Sequence, residues 1–267
     1  MSNNFSAHHL EYIKGVKKKN RRVFYTQIGL LIFLLFIWEV SARLNWIDTF
    51  LTSSPSAIWT LFLDFVKNGN LFYHLGISLM ETIIGFGLGT LLGVIIAIML
   101  WWSDFLAKVL DPYIVVLNSL PKTALAPIFI ILFGAGFKGI IVTAISVSIV
   151  VTIMNMFISY KTVDDDKLKL LQTFGASKFQ MLSKIVIPSS IPDLISTLKV
   201  NIGLSWVGVI VGEFLVSKAG LGYLIVYGMQ VFRLDLVLMN VAVLGFISAI
   251  MYKIIAALES KFTKWQK

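Results

Sequence analysis

Six long apolar runs constrain this chain more than any other feature of its sequence. A helix rises about 1.5 Å per residue, so about 20 residues cross the roughly 30 Å hydrocarbon layer of a membrane. The predicted spans are residues 23–42, 75–103, 112–137, 139–160, 194–216 and 236–255. Because 57% of the 267 residues are hydrophobic, the chain has more apolar surface than a soluble core of that size hides. The predicted fold class is an all-α integral membrane protein, a six-span helical bundle.

The lysines and arginines predict how the bundle is oriented, because cytoplasmic loops near span ends accumulate positive charge. If residues 1–22, a basic tail, are cytoplasmic and the spans alternate, most of the 23 lysines and arginines fall on the cytoplasmic side. Both termini are therefore predicted to be cytoplasmic, together with residues 161–192 and the C-terminal tail 261–267. The net charge of +9 then reflects topology and contact with anionic lipid headgroups, not nucleic-acid binding.

Residues 161–192 separate two apolar runs, yet they have the signals of ordered structure. Thr162, with the aspartates that follow it, predicts a helix start, because a hydroxyl caps free N–H groups and carboxylates favour the positive end of the helix dipole. Gly175 can take the left-handed conformation that ends a helix. Ser177 and Gln180 have the spacing of a capping box, which predicts a second helix. Pro188 and Pro192 are expected to interrupt this second helix before the fifth span.

The two predicted helices of this loop carry apolar side chains that have no lipid to face. They recur at helical spacing: Leu168, Leu170, Leu171, Phe174, Phe179, Leu182 and Val186. Such a shape suits docking to another protein. The alternative that the local pattern leaves open is a loop packed on the ends of its own spans.

The 161–192 loop resembles the cytoplasmic "EAA" loop of permease subunits of binding-protein-dependent ABC importers. That loop has the form EAA, three residues, Gly, nine residues, I-x-L-P, and the matching positions here are Gly175, Ile185, Ile187 and Pro188. The EAA triplet itself is replaced by Lys169, Leu170 and Leu171, a departure from the family pattern. The resemblance implies a coupling loop that docks on an ATPase through Lys169, Leu170, Leu171, Phe174, Gly175, Ala176, Ser177, Phe179, Ile185 and Pro188.

The final span and three further stretches resemble the branch of this family that imports taurine, alkanesulfonates, nitrate and some thiamine precursors. The three stretches are DPYIVVLNSLPKTALAPIFIILFGAGF (111–137), GFGLGTLLGVIIAI (85–98) and VGEFLVSKAGLGYLI (211–225). The resemblance implies a type I importer in a bacterial cytoplasmic membrane, with two permease copies, two cytoplasmic ABC ATPase subunits and an extracytoplasmic binding protein. It also implies a small anionic solute or a thiamine precursor, and a homodimer of permeases.

No phosphate-binding G-x-x-x-x-G-K-[ST] motif occurs in the chain, so ATP hydrolysis is expected in a partner. ATP and Mg²⁺ would belong to that ATPase, and we expect this chain to bind no cofactor or metal and not to be an enzyme.

A polar patch in the third span is the first candidate for the solute pathway. Pro121 and Pro127 each remove a backbone donor and free carbonyl groups, which is tolerated where the backbone faces protein or water. Lys122 is expected near the middle of the bilayer, where a cation with neighbouring polar groups suits an anion. Those neighbours are Asn118, Ser119 and Thr123. Alternatively, Lys122 satisfies a carboxylate or the freed carbonyls and fastens the bundle.

The fifth span offers further pathway candidates, namely Asn201, Ser205, Trp206 and Glu213. Ordinary contacts within the bundle would explain the first three equally well. Glu213 and Glu81 are both expected toward the outer leaflet, where a gate and a structural ion pair remain alternatives. Lys199, farther along the same span, is expected to extend toward the cytoplasmic headgroups.

Two rows of glycines predict close helix packing, because small residues four apart let helices approach each other. Gly85, Gly89 and Gly93 form one row on the second span, and Gly208 and Gly212 form another on the fifth. The pattern does not distinguish packing within the subunit from packing against a second copy.

Two other function classes are alternatives to the importer. An intramembrane enzyme needs a nucleophile or metal cluster, but the histidines are confined to His8, His9 and His74 and the chain has no cysteine. A self-contained secondary transporter or channel is the stronger rival, because buried Lys and Glu residues suit ion coupling. Its usual signs are internal repeats with broken helices in matching halves, and only the third span is predicted to be broken.

Overall fold

The computed structural model describes residues 7–262, and within that range every regular element is helical. The α-helices are α1 (Ala7–Arg43), α2 (Thr49–Thr52), α3 (Pro55–Lys67), α4 (Asn70–Trp102), α5 (Asp104–Ser119), α6 (Ala126–Phe133), α7 (Phe137–Lys161), α8 (Asp165–Thr173), α9 (Lys178–Met181), α10 (Ile187–Ser189), α11 (Ile191–Val216), α12 (Leu221–Gln230) and α13 (Leu234–Phe262). A 3₁₀ turn (Lys122–Leu125) precedes α6, and a π turn (Leu182–Val186) follows α9. The predicted tails fall partly on residues 1–6 and 263–267, outside the described range.

Five helices of the described chain are long and apolar enough to cross a membrane, and they confirm the all-α membrane fold. They lie within α1, α4, α7, α11 and α13, and a bent helix pair makes a sixth span if it is counted as one. α1 begins at Ala7, so most of the predicted basic tail continues the first spanning helix instead of forming a separate segment.

The predicted third span, residues 112–137, is not one continuous helix. α5 begins earlier, at Asp104, and meets the helical stretch Lys122–Phe133 at an angle of 90°. Pro121 lacks a backbone donor, and Leu120 before it takes an extended conformation, as residues preceding proline commonly do. Pro127 breaks nothing, because it stands in the first turn of α6, where a missing N–H leaves no helical bond unmade.

Small residues hold α7 closely between α4 and α11. A Cβ added to Gly85 would lie 2.6 Å from the Cβ of Ala144, and one added to Gly208 would lie 2.5 Å from the Cα of the same alanine. Carbon atoms in contact stand about 3.5–4 Å apart, so neither position accepts a larger side chain at this helix spacing. The remaining glycines of the two rows face Ser148, Thr152 and Ile140 of α7. Both rows therefore pack against a helix of their own chain.

The interruption predicted before the fifth span is reduced to one residue, Ser190, which separates α10 from α11. The π turn shifts the backbone hydrogen bonds by one residue, so the N–H of Ile187 bonds to the carbonyl of Leu182. Pro188 and Pro192 then fall in the first turns of α10 and α11, where proline is tolerated.

Candidate functional site

The 161–192 loop turns sharply at Gly175, which takes a left-handed conformation with φ of +73°. The N–H of Gly175 bonds to the carbonyl of Gln172 at 2.9 Å, and the N–H of Ala176 bonds to the carbonyl of Leu171 at 3.0 Å. This pair of bonds is a Schellman motif, which ends α8 and satisfies its free carbonyls. The glycine corner predicted from the sequence is therefore present.

Side chains fix the starts of both short helices. The N-cap of α8 is Asp164, whose carboxylate accepts the N–H of Asp166 at 2.9 Å. The predicted cap, Thr162, instead ends α7 and donates to the carbonyl of Ser159, because a threonine hydroxyl bonds readily to a carbonyl one turn back. α9 begins with the predicted capping box, in which Ser177 and Gln180 exchange side-chain and backbone bonds.

One face of the loop packs on the ends of the membrane helices. Leu168, Leu171 and Ala176 are half-buried against a cluster that includes Trp101 of α4 and Tyr160 of α7. Burial of this face fixes the position of the loop relative to the bundle. The alternative in which the loop packs on the ends of its own spans therefore holds for this face of the loop.

The opposite face of the loop is apolar and open. Leu170 is 57% exposed, Phe174 is 78% exposed and Phe179 is 66% exposed. We call these three residues the docking surface. An exposed apolar patch is unfavourable in water and is typical of a surface that contacts another protein or a membrane.

The other loop residues named from the resemblance are divided between the two faces. Lys169 is exposed and pairs with Asp166 at 3.6 Å, Ser177 serves as the cap of α9, and Ile185 and Pro188 are half-buried. Leu171 is half-buried in the cluster between the loop and the membrane helices, so it is less open than the three residues of the docking surface.

The polar patch of the predicted third span lies at the break between α5 and α6. Asn118, Ser119 and Thr123 are exposed, and Lys122 is half-exposed. The Nζ of Lys122 donates to the backbone carbonyl of Asn118 at 3.0 Å, and Ser119 Oγ donates to the carbonyl of Val115 at 2.9 Å. Lys122 thus binds a carbonyl close to the break between α5 and α6, which agrees with one of the two alternatives. Its side chain also remains accessible to solvent or solute.

The candidates in the middle of the fifth span lie inside the protomer. Asn201 and Ser205 are fully buried, and Trp206 is 3% exposed. Asn201 Nδ2 donates to Thr90 of α4 at 2.9 Å and to Thr152 of α7 at 2.7 Å. Asn201 therefore connects the three central helices, while Ser205 and Trp206 are buried on the same helix.

Glu213 holds the beginning of α12. Its Oε1 accepts from Ser78 at 2.5 Å, and its Oε2 accepts from the N–H of Gly222 at 2.5 Å. The N–H of Leu221 donates to Ser78 at 2.7 Å, so two side chains from other helices satisfy the first turn of α12. Glu81 lies beside Glu213 and is also buried.

Sequence reasoning missed two of these contacts, since nothing local encodes them. One is the capping of α12 by Glu213 and Ser78, which are 135 residues apart in sequence. The other is an ion pair at 2.5 Å between Lys199 of α11 and Glu259 near the end of α13. Within residues 7–262, no group of three or more histidine, aspartate or glutamate side chains is placed to hold a metal ion.

The chain is similar in sequence to a known protein family. The sequence pattern of the family described as binding-protein-dependent transport system inner membrane components matches residues 89–264. This match includes the break between α5 and α6, the whole 161–192 loop, α11 and α12.

Three curated relatives match over most of their length. A putative aliphatic sulfonates transport permease of Bacillus subtilis is 28% identical, covering 94% of this chain and 91% of the relative. A formylaminopyrimidine transport permease of Halalkalibacterium halodurans is 27% identical, covering 88% and 94%. A taurine transport system permease of Escherichia coli is 25% identical, covering 89% and 88%.

A solved structure shares the fold. The inward-facing MetNI methionine ABC transporter contains a chain that superimposes with a TM-score of 0.63 at 15% identity, covering 70% of this chain and 94% of that one. At this identity the likeness concerns the arrangement of helices alone.

Proposed function

This chain belongs to the family of inner membrane components of binding-protein-dependent transport systems, and from that premise we propose that its 161–192 loop docks on a cytoplasmic ABC ATPase. The chain is a multi-pass membrane protein. In the proposed assembly it forms the path of the solute and converts closure of the ATPase into movement of its spans.

The docking surface is the observation that carries this proposal. Leu170, Phe174 and Phe179 project from two short helices whose starts are capped by side chains and whose other face packs on the bundle. A rigid segment of this kind transmits a displacement, whereas a flexible loop would absorb it. Exposed aromatic rings are also typical anchors of protein interfaces.

We propose an assembly of two copies of this permease with two ATPase subunits and an extracytoplasmic binding protein. The 161–192 loop and both termini face the cytoplasm, as the distribution of lysines and arginines favours. The ATPase subunits bind and hydrolyse ATP with Mg²⁺, and this chain supplies neither ATP-binding residues nor metal ligands.

The solute is proposed to be a small anion such as a sulfonate, taurine or nitrate, or a thiamine precursor. The named relatives carry sulfonates, taurine and formylaminopyrimidine, and Lys122 offers a cation at the break in the third span. Asn118, Ser119, Lys122 and Thr123 are the proposed pathway contacts, because they are open at that break, unlike Asn201, Ser205 and Trp206.

The first experiment is affinity purification of the detergent-solubilised chain from its native membrane, with identification of co-purifying subunits and an assay of ATPase activity. The parent chain should recover an ATPase. A variant with Leu170, Phe174 and Phe179 all changed to aspartate should lose it while keeping the elution volume of a folded membrane protein.

The matched control changes Phe50 and Phe232 to aspartate. These rings are 62% and 68% exposed, close to the values of the docking surface, but they lie at the opposite end of the bundle. The control should retain the ATPase. A parent chain that purifies alone and moves solute into liposomes without ATP would replace the proposal with a secondary transporter.

A further inference from the structure

Lys178 joins the loop to the end of a membrane helix. It is the first residue of α9, and its Nζ donates to the carbonyl of Trp102 at 2.6 Å. The same Nζ lies 5.6 Å from the ring centre of Trp101 and 5.7 Å from that of Trp102. One lysine therefore combines a charged hydrogen bond with two cation–π contacts.

The position of this contact on α4 is specific. Trp102 is the last residue of α4, so its carbonyl has no partner within the helix and stands at the negative end of the helix dipole. Ser103 alone separates α4 from α5, and its hydroxyl caps α5 by accepting the N–H of Leu106. A cation bound here contacts the corner between the two helices, Trp102–Asp104.

A second lysine holds the other side of the same corner. Asp104, the first residue of α5, pairs at 2.5 Å with Lys161, the last residue of α7. Since Lys161 immediately precedes the loop, the loop is attached to the corner at its entry through Lys161 and at α9 through Lys178.

α5 packs on the bundle along one face and is otherwise exposed. Of its 16 residues Ala107 is buried, and Leu106, Leu110 and Ile114 pack on the cluster that Ala107 forms with Leu100 of α4 and Ile153 of α7. A helix held along one face can shift with the corner as a unit. The helix spans about 24 Å at 1.5 Å per residue and ends at the break where Lys122 lies. A displacement of the corner reaches the proposed pathway along this helix.

We infer that Lys178 is a positioning residue that transmits movement of the loop to the α4–α5 corner and, through α5, to the break at Leu120–Pro121. This inference rests on the proposed function, because the ATPase supplies the movement. Lys178 does not belong to the docking surface, so its role is separable from ATPase binding.

The test compares Lys178→Met with Lys178→Arg in proteoliposomes that contain the ATPase and the binding protein. Lys178→Met should bind the ATPase and hydrolyse ATP like the parent, while solute uptake per ATP hydrolysed falls about tenfold, within the usual range of coupling between sites. Lys178→Arg keeps the cation and should restore uptake. Lys184→Met, an exposed lysine six residues on, is the matched control and should behave like the parent.

A direct readout of movement is available because the chain has no cysteine. An environment-sensitive fluorophore on Val116→Cys, an exposed position of α5, should change its emission when ATP binds. The change should vanish in Lys178→Met and return in Lys178→Arg. A purely stabilising role would lower the melting temperature of Lys178→Met without removing this signal.

The outcomes separate the two proposals. If the parent chain recruits no ATPase, the proposed function fails. If the ATPase binds and Lys178→Met keeps both the uptake per ATP and the fluorescence change, the role of Lys178 is overturned. Should Lys178→Met not fold, Lys178→Gln, which lacks the charge and therefore the cation–π contacts, replaces it in the same comparison.

Discussion

The core of α4, α7 and α11 and the 161–192 loop owe their shapes to different physical constraints, although glycines are critical in both. In the core, glycines bring helices so close that a Cβ at Gly208 would overlap the backbone of Ala144. In the loop, a Cβ at Gly175 would have nothing within 4 Å, and the shape comes from hydrogen bonds of the caps and from the left-handed corner. The close spacing of the helices therefore restricts substitution in the core, whereas the backbone conformation restricts substitution in the loop.

This difference separates stability from coupling. A change in the core forces helices apart and affects whether the chain folds, while a change on the open face of the loop leaves the fold intact and affects what the chain does to a partner. The substitutions below test that separation, beginning with the largest expected effect.

Gly208→Val should abolish the folded chain. The added side chain meets the Cα of Ala144, and overpacking of this kind costs about 3 kcal/mol or more when backbone must move. We expect little monodisperse protein on size-exclusion chromatography in detergent. Gly203→Val on the same helix, where an added Cβ has nothing within 4 Å, is the control and should be recovered like the parent. Equal recovery of both variants would contradict the tight core.

The core and the loop corner were predictable because their signals are local. The glycine rows repeat every four residues, and Gly175, Ser177 and Gln180 carry the spacing of known helix ends. Such a pattern predicts which residues share a helix face or end a helix. The structure shows which residues that face contacts.

The remainder depends on distant parts of the chain. Glu213 caps α12 together with Ser78, and Lys199 finds Glu259 across 60 residues of sequence. No local periodicity encodes such pairs. Leu171 shows the same limit at closer range, because helical spacing predicts an apolar face for it but does not indicate that this face packs on a cluster that includes Trp101 and Tyr160 of the membrane helices.

Leu171→Ser should lower stability, and Leu170→Ser should not. Leu171 is half-buried against the membrane helices, so loss of its apolar contacts costs about 1–2 kcal/mol. Leu170, its neighbour in sequence, is open, and its loss should weaken ATPase capture instead. The melting temperature and the amount of co-purified ATPase, measured for both variants, distinguish the buried face of the loop from its open face. Similar melting temperatures would show that the loop is not fixed on the bundle.

Gly175→Val should keep the fold and impair coupling. At φ of +73° a β-branched residue is disfavoured by about 1–2 kcal/mol, although the surrounding space is open. We expect the corner between α8 and α9 to relax and the uptake per ATP hydrolysed to fall. Gly175→Asn, which tolerates the left-handed conformation better, should retain more of both. Unchanged uptake in Gly175→Val would show that the corner does not need this geometry.

Lys122→Met should leave stability nearly unchanged and reduce transport of an anionic solute. The contacts of Lys122 are to Asn118 four residues earlier and are exposed, so their loss costs below about 0.5 kcal/mol. A cation 4 Å from an anion in water contributes roughly 1 kcal/mol, which corresponds to about a fivefold loss of uptake. Uptake by reconstituted assemblies measures this, and Lys122→Arg should retain most of it. If Lys122→Met instead prevents assembly, Lys122 holds the break between α5 and α6 in place. Backbone conformation would then be critical at this break, as it is at the corner of the loop.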